Sequence, residues 1–287
     1  MKKLLPFLLS VSLIFSSCAQ KKDFVVTFKT PYGDMVAILY DETPKHKENF
    51  IKLAKEHYFD SLLFHRVIQE FMIQGGDPDS KNATPGQHLG SGGPTYTIPA
   101  EFNPKFVHEK GALSAARTPD AQNPTKASSG SQFYIVQGKT WTKDELTFDQ
   151  GKFNLAMQKY FENPANKGAY DSLFTVYRSG DIDAYNAFLH KLKPRVEKET
   201  GMETEKNVNP EVIDLYSTVG GSPHLDGQYT VFGKVIKGLE VIDKIASQPV
   251  DEAHRPVEDI RMMVTVEEMS KKKIEKEYGY KYPEEKK

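Results

Sequence analysis

Residues 64 to 77 read FHRVIQEFMIQGGD. Leu63, Val67, Phe71 and Ile73 bring apolar bulk close to strand spacing, and Gly75-Gly76 ends the run as a turn. An arginine and a glutamine stand among these apolar residues. Arginine is almost never fully buried without a partner. The pattern therefore places Arg66 at a half-open apolar surface, held by Gln74. Taken alone, the stretch also fits a plain amphipathic hairpin with Arg66 snorkelling to solvent.

Four more segments narrow the choice: LGSGGPTYTIPAEF (89–102), GALSAAR (111–117), GSQFYIV (130–136) and HLDGQYTVFGKVI (224–236). With the opening stretch, and in this order, they resemble the cyclophilin-type peptidyl-prolyl cis-trans isomerases. The likeness covers most of 23–139 and 219–268. It implies a mainly β fold, a closed antiparallel barrel capped by two helices, and rotation of X-Pro peptide bonds in flexible polypeptides. In the resemblance Arg66 is the catalytic donor and Gln74 orients it. Phe71, Met72, Tyr134 and Leu225 match the lining of the proline pocket, and Gln132 matches the glutamine beside it. Ala116 and Arg117 match the pair whose backbone holds the residue before proline. Tyr229 stands where a histidine is usual and keeps an aromatic plate with a hydroxyl. Tyr134 replaces a phenylalanine, and Arg117 stands where many relatives carry asparagine, which matters little for backbone contacts. His224 takes the place of a tryptophan that aids cyclosporin binding, so weak cyclosporin affinity is expected.

The start of the chain reads as a targeting segment. Lys2 and Lys3 precede the apolar run LLPFLLSVSLIF (4–15), and Ser16-Ser17 supply small residues before Cys18. Twelve apolar residues are too few for a comfortable permanent span. A cysteine in this setting resembles a bacterial lipobox, with Phe15 where leucine is usual. The resemblance implies lipidation of Cys18, processing by the lipoprotein machinery, and a membrane-anchored protein of the cell envelope. An ordinary signal peptide is the alternative. Cys18 is the only cysteine, so no intrachain disulfide forms. The 287 residues are 38% hydrophobic, enough for a sizeable core in one or two domains. A formal net charge of −1 gives no general pull towards nucleic acid.

After a polar tether (18–22), residues 23–42 read as two strands joined at Pro31-Tyr32-Gly33. Thr43 reads as the N-cap of a helix with Pro44 at its first position. Phe50, Leu53, Ala54 and His57 share the core-facing side, with His57 packed at the helix end. Glycine-rich 77–95 lacks the Lys-Ser/Thr of a phosphate loop, and the resemblance puts it at the rim of the peptide groove. From 140 to 218 alternation gives way to helical spacing: Phe153, Ala156, Met157 and Tyr160, then Tyr170, Phe174 and Tyr177, then Ile182, Tyr185, Phe188, Leu189 and Leu192. Three or four helices are expected there, with the aromatic stripe as their core. The insertion leaves the barrel just after Tyr134 and rejoins just before Leu225, so it should stand beside the mouth of the site. Residues 238–247 read as the second helix of the fold, 260–268 as the closing strand and 269–287 as a charged tail.

The eight histidines show no HxH or HExxH spacing and have no cysteine partners, so neither metal nor cofactor is expected. The reading is a lipid-anchored, monomeric prolyl isomerase acting on proline-containing chains outside the cytoplasm. A non-catalytic peptide-binding or holdase module on the same fold is the alternative. The full set of Arg66, Phe71, Met72, Gln74 and Gln132 favours catalysis, because peptide capture does not need a donor so placed.

Overall fold

The computed structural model describes residues 21–283. The leader and Cys18 lie outside the described residues. The strands are β1 (Lys22–Thr30), β2 (Gly33–Leu39), β3 (Phe64–Ile68), β4 (Met72–Gly75), β5 (Thr97–Ile98), β6 (Ala112–Ala115), β7 (Ser128–Ser129), β8 (Phe133–Val136), β9 (Val231–Lys237) and β10 (Met263–Ser270). Eight of them form one sheet in the order β10-β1-β2-β9-β6-β8-β4-β3, and β5 and β7 form a separate ribbon. Every pairing is antiparallel. The sheet curls until its two edges meet. They are joined by one bridge, Leu63 to Arg261, and by bonds such as Phe64 N–H to Ile260 O at 2.9 Å. A fully laddered barrel overstates the closure: the seam is a contact between two strand ends.

The inward alternation of β1, β2, β8 and β9 buries Phe28, Met35, Phe133 and Phe232. Two helices cover this core, α1 (Pro44–Lys55) with Phe50 and Leu53, and, in the chain order of helices, α7 (Leu239–Ala246) with Val241, Ile242 and Ile245. Phe28, Phe50, Phe59 and Phe133 meet at ring-centre distances of 4.8 to 6.0 Å, mostly in the tilted and edge-on arrangements that aromatic quadrupoles favour. Phe59, not His57, fills the helix-end position. The helix stops at Lys55, His57 adopts a left-handed φ of 56°, and its ring turns out to solvent beside Asp60.

Thr43 does not cap α1 with its side chain; its hydroxyl donates to Tyr40 O. The carboxylate of Glu101 takes that role, accepting from Lys45 N–H and His46 N–H at 3.2 and 3.0 Å. An anion at a helix N-terminus satisfies orphan donors and the helix dipole together. Glu101 also meets His46 Nδ1 at 2.6 Å, and His46 Nε2 lies 2.9 Å from Ser128 Oγ, so α1, residue 101 and β7 are tied at one point.

Five helices occupy the 143–218 region: α2 (Lys143–Thr147), α3 (Gln150–Glu162), α4 (Lys167–Ser179), α5 (Ile182–Thr200) and α6 (Pro210–Thr218). That is more than the three or four expected, because short α2 and α6 flank the three longer helices. Phe153, Ala156, Met157 and Tyr160 of α3 pack on Leu192 and Val196 of α5. The stripe divides there. Tyr170, Phe174, Tyr177 and Ile182 are 44% to 73% exposed, because α4 meets α5 through Ala169 and Leu173 on its other side.

The segment after 268 is part of the fold. The strand β10 runs on to Ser270, and α8 (Lys271–Tyr278) follows, capped by the Ser270 hydroxyl. Ile274 is fully buried in a small outer cluster with Val25, Val36, Ile38 and Met269. The half-buried Tyr282 donates its hydroxyl to Asp23, whose carboxylate also holds Lys47. The lysine run hides one apolar position at helical spacing, which is what the sequence reading missed.

Candidate functional site

The hairpin of β3 and β4 sets the site. Its register places Arg66 directly opposite Gln74. Cross-strand neighbours touch, and Arg66 Nη1 donates to Gln74 Oε1 at 3.1 Å. Gln74 Nε2 donates in turn to Gln132 Oε1 at 3.0 Å. Gln132 Nε2 is shared between the carbonyls of Gly90 and Gly92, at 3.0 and 2.7 Å. The amides thus form a one-way relay that ends on backbone and fixes the guanidinium from one side. Arg66 is half-buried, and burial pulls its pKa below the ordinary arginine value, with Tyr229 acting in the opposite direction. The partner that holds it is a neutral amide, so its charge is not cancelled by a contacting carboxylate.

Arg66 and Gln74 line a cavity of about 520 Å³. Phe71, Met72, Ala116, Arg117, Tyr134, Leu225 and Tyr229 line it too. Gln132 lies behind Gln74 and opens onto an adjoining cavity of about 370 Å³ lined by Gly92, Pro94, Thr118 and Ala127. Met72, Tyr134 and Leu225 are buried in one cluster with Ala112, Val136 and Val231, with Phe71, Ala116 and Tyr229 packed at its edge. Together they make an apolar wall of the cavity that Arg66 also lines. His224 sits beside Phe71, with ring centres 5.4 Å apart.

The pair Ala116-Arg117 is not equivalent in its backbone. Ala116 donates its N–H to Gln132 O and accepts Ser129 N–H at its carbonyl, so both groups are already paired within the fold. The Arg117 side chain does more than the sequence reading allowed. Its guanidinium lies 4.5 Å from the centre of the Tyr229 ring, donates to Gln228 O and pairs with Asp120 at 2.6 Å. It therefore props up the Tyr229 plate by a cation–π contact.

Sequence reasoning passed over three further groups. Asp77, fully buried, accepts from the N–H groups of Gly90, Gly92 and Asp79. A Cβ on Gly92 would come within 2.1 Å of Asp77 Oδ1, so the glycine is what lets this loop close over the carboxylate. Arg255, also buried, donates to the carbonyls of Thr84 and Gln87 and clamps the far side of the same loop. His65 is 4% exposed at the cavity wall, with neither ring nitrogen bonded to a described residue. Burial pushes its pKa down to about 4, helped by Arg66 and Arg255 and opposed by Asp77 and the nearby Leu63 backbone. A run of apolar residues gives no signal for a buried imidazole beyond the histidine itself. Among the described residues no grouping of three or more His, Cys, Asp or Glu could hold a metal ion.

The family profile described as cyclophilin type peptidyl-prolyl cis-trans isomerase/CLD matches residues 25–159 and 199–267. A Staphylococcus aureus (strain COL) protein, named as a candidate peptidyl-prolyl cis-trans isomerase, is 30% identical over 245 residues, which are 84% of this chain and 90% of that protein. A candidate bifunctional phosphatase/peptidyl-prolyl cis-trans isomerase of Streptococcus pyogenes serotype M6 is 30% identical over 243 residues. Those cover 82% of this chain but only 37% of that protein, so the chain spans little more than a third of this relative. The crystal structure of a Cryptosporidium parvum cyclophilin type isomerase in the presence of the dipeptide Ala-Pro aligns with a TM-score of 0.48 at 20% identity, over 85% of this chain and 98% of that one.

Proposed function

The chain belongs to the cyclophilin-type peptidyl-prolyl cis-trans isomerases, and from that premise we propose that Arg66 drives X-Pro rotation while the proline ring sits on the wall of Phe71, Met72, Tyr134 and Leu225. Rotating the bond breaks amide resonance against a barrier of about 18–20 kcal/mol, and uncatalysed exchange takes tens to hundreds of seconds. Bringing that to milliseconds needs roughly a 10⁴-fold gain, about 5–6 kcal/mol. No nucleophile, metal or proton transfer is required. As the amide twists, its nitrogen regains a lone pair. A fixed cation aimed at that nitrogen or the neighbouring carbonyl stabilises the twisted state more than the planar one. A guanidinium offers five N–H donors. One is spent on Gln74, which leaves four for a substrate in the cavity that Arg66 lines.

The observation that carries this reading is the relay Arg66–Gln74–Gln132–Gly90/Gly92 beside an apolar wall. A binding module would gain from the wall alone; a half-buried cation held by an amide suits a charge that develops during rotation. Since Ala116 has committed its backbone, Arg117 is left to hold the residue before proline. Met72 and Leu225 methyl signals, followed by NMR while an Ala-Pro peptide is added, test the placement. Shifts at these methyls are expected. Shifts confined to other faces of the protein would place the substrate elsewhere.

The substrates we propose are unfolded or flexible chains of the cell envelope, reached by a protein anchored through lipidated Cys18. The lysine-led apolar segment and the cysteine after Ser16-Ser17 support this. Among the described residues no helix is long and apolar enough to cross a membrane. Labelling of the full chain with radioactive palmitate, lost in Cys18→Ala, checks the anchor; equal labelling of both forms rules it out.

A further inference from the structure

The insertion reaches the proline wall through a buried chain of hydrogen bonds. Tyr216 of α6 is fully buried, and its hydroxyl donates to Asp226 Oδ2 at 2.7 Å. Asp226 Oδ1 accepts from both the backbone N–H and Nδ1 of His108, each at 2.9 Å. His108 Nε2 lies 3.0 Å from the Tyr134 hydroxyl. The direction of each bond follows from the end group. A carboxylate only accepts, so His108 carries a proton on Nδ1, and its Nε2 is left to meet the Tyr134 hydroxyl. Three donors converge on Asp226: the backbone N–H and Nδ1 of His108 on one carboxylate oxygen and the Tyr216 hydroxyl on the other.

Backbone contacts hold this chain in place. Ser222 N–H donates to His108 O at 2.8 Å, and Trp141 Nε1 donates to Gly221 O at 2.8 Å. Gly221 passes so close that a Cβ there would come within 2.2 Å of His108 O and 2.7 Å of the Tyr216 ring. The end of the insertion is therefore seated against His108, and its start is tied to that end through Gly221. At the far end, the Tyr134 ring meets Tyr229 edge-on, with centres 5.9 Å apart. Of the four residues, only Tyr134 touches the cavity.

We infer that Tyr216 is a positioning residue for the isomerase: through Asp226 and His108 it fixes the hydroxyl end of Tyr134, and so the helical insertion sets the shape of the proline slot. The inference rests on the proline-slot reading above. It gives the hydroxyl of Tyr134 a role that a phenylalanine could not fill. It also makes the insertion part of the binding wall without any contact between the insertion and substrate.

The test uses the full chain and an X-Pro peptide, with exchange followed by NMR. In Tyr216→Phe, KM is expected to rise about fivefold, the scale of one buried hydrogen bond, while kcat stays within twofold because Arg66 and its relay are untouched. Tyr134→Phe cuts the chain at its other end, so adding Tyr216→Phe to it should change KM no further; non-additivity of this kind marks residues acting as one unit. The ¹⁵N signal of His108 Nε2 should move in Tyr216→Phe. An unchanged KM in folded Tyr216→Phe, or effects of the two substitutions that simply add, would overturn the inference. Should Tyr216→Phe not fold, Asp226→Asn serves instead. It removes the charge that holds Nδ1–H, and retention of both the wild-type tautomer and the wild-type KM would be contrary. A wild type that turns over no peptide contradicts the slot reading alone. The His108 and Tyr134 ring signals then decide this one, and signals unmoved by Tyr216→Phe count against it.

Discussion

Replacing Gln74 with leucine isolates the orienting role of the amide from the charge of Arg66. Leucine matches the size and removes both bonds, the one from Arg66 Nη1 and the one to Gln132 Oε1. Gln132 keeps its two bonds to Gly90 O and Gly92 O and stays in place. Arg66 keeps its charge and its place on β3 but regains rotamer freedom. Fixing such a side chain costs about 0.5–1.5 kcal/mol, which substrate must now supply in the twisted state. At about 1.4 kcal/mol per decade, kcat/KM should fall roughly 2- to 12-fold. That is small against the roughly 10⁴-fold asked of the whole site. The orphaned Gln132 oxygen should lower stability by about 1–3 kcal/mol. The assay is cis-trans exchange in a short X-Pro peptide, with urea unfolding beside it. A loss as large as that of deleting the guanidinium would show that Gln74 does more than orient. No loss in a folded variant would show that Arg66 needs no orienting partner.

Two further outcomes follow from burial. His65 stays neutral in the fold down to about pH 4, while in the unfolded chain it protonates near 6.5. Between those values the unfolded state binds the extra proton, so stability falls as pH drops through this window, by about 3 kcal/mol in all. Above pH 6.5, and below about 4, this group adds no slope. His46 is depressed by burial in the same sense, so His65→Gln should flatten the acid limb of urea midpoints against pH without abolishing it; an unaltered limb would be contrary. Ile274→Ala, in a residue with no exposed surface, should cost about 2 kcal/mol, the low end for such truncations because the outer cluster is small and can relax. A cost below about 0.5 kcal/mol would mean that α8 only rests on the sheet.

What the sequence made legible was local. The 64–75 hairpin carries strand spacing, a Gly-Gly stop and its two polar residues within nine positions, so register alone brings Arg66 to Gln74. The helical change of period after 140 was equally plain, since Phe153, Ala156, Met157 and Tyr160 repeat on one face. What stayed hidden depends on contacts between distant segments. Glu101 caps a helix that begins 57 residues earlier at Pro44, and Thr43 looked sufficient because cap preference is a local rule. Nothing near Arg117 announces that Tyr229 will lie under its guanidinium. His108, Asp226 and Tyr216 each look unremarkable in the chain and gain meaning only where the barrel brings them to Tyr134. The exposed half of the aromatic stripe, Tyr170 to Ile182, shows that helical spacing marks a face but does not say whether anything covers it.

In the proposed mechanism a positioned cation lowers the barrier to X-Pro rotation. Exchange in an X-Pro peptide, measured with residues 23–287 as wild type, Arg66→Ala and Arg66→Lys, tests it directly. Arg66→Ala should lose most of the acceleration while Met72 and Leu225 methyl shifts still report peptide binding. Arg66→Lys should recover only part, since an ammonium is a point charge without the planar fork. Full acceleration in a folded Arg66→Ala protein would contradict the claim, because the apolar wall alone would then suffice.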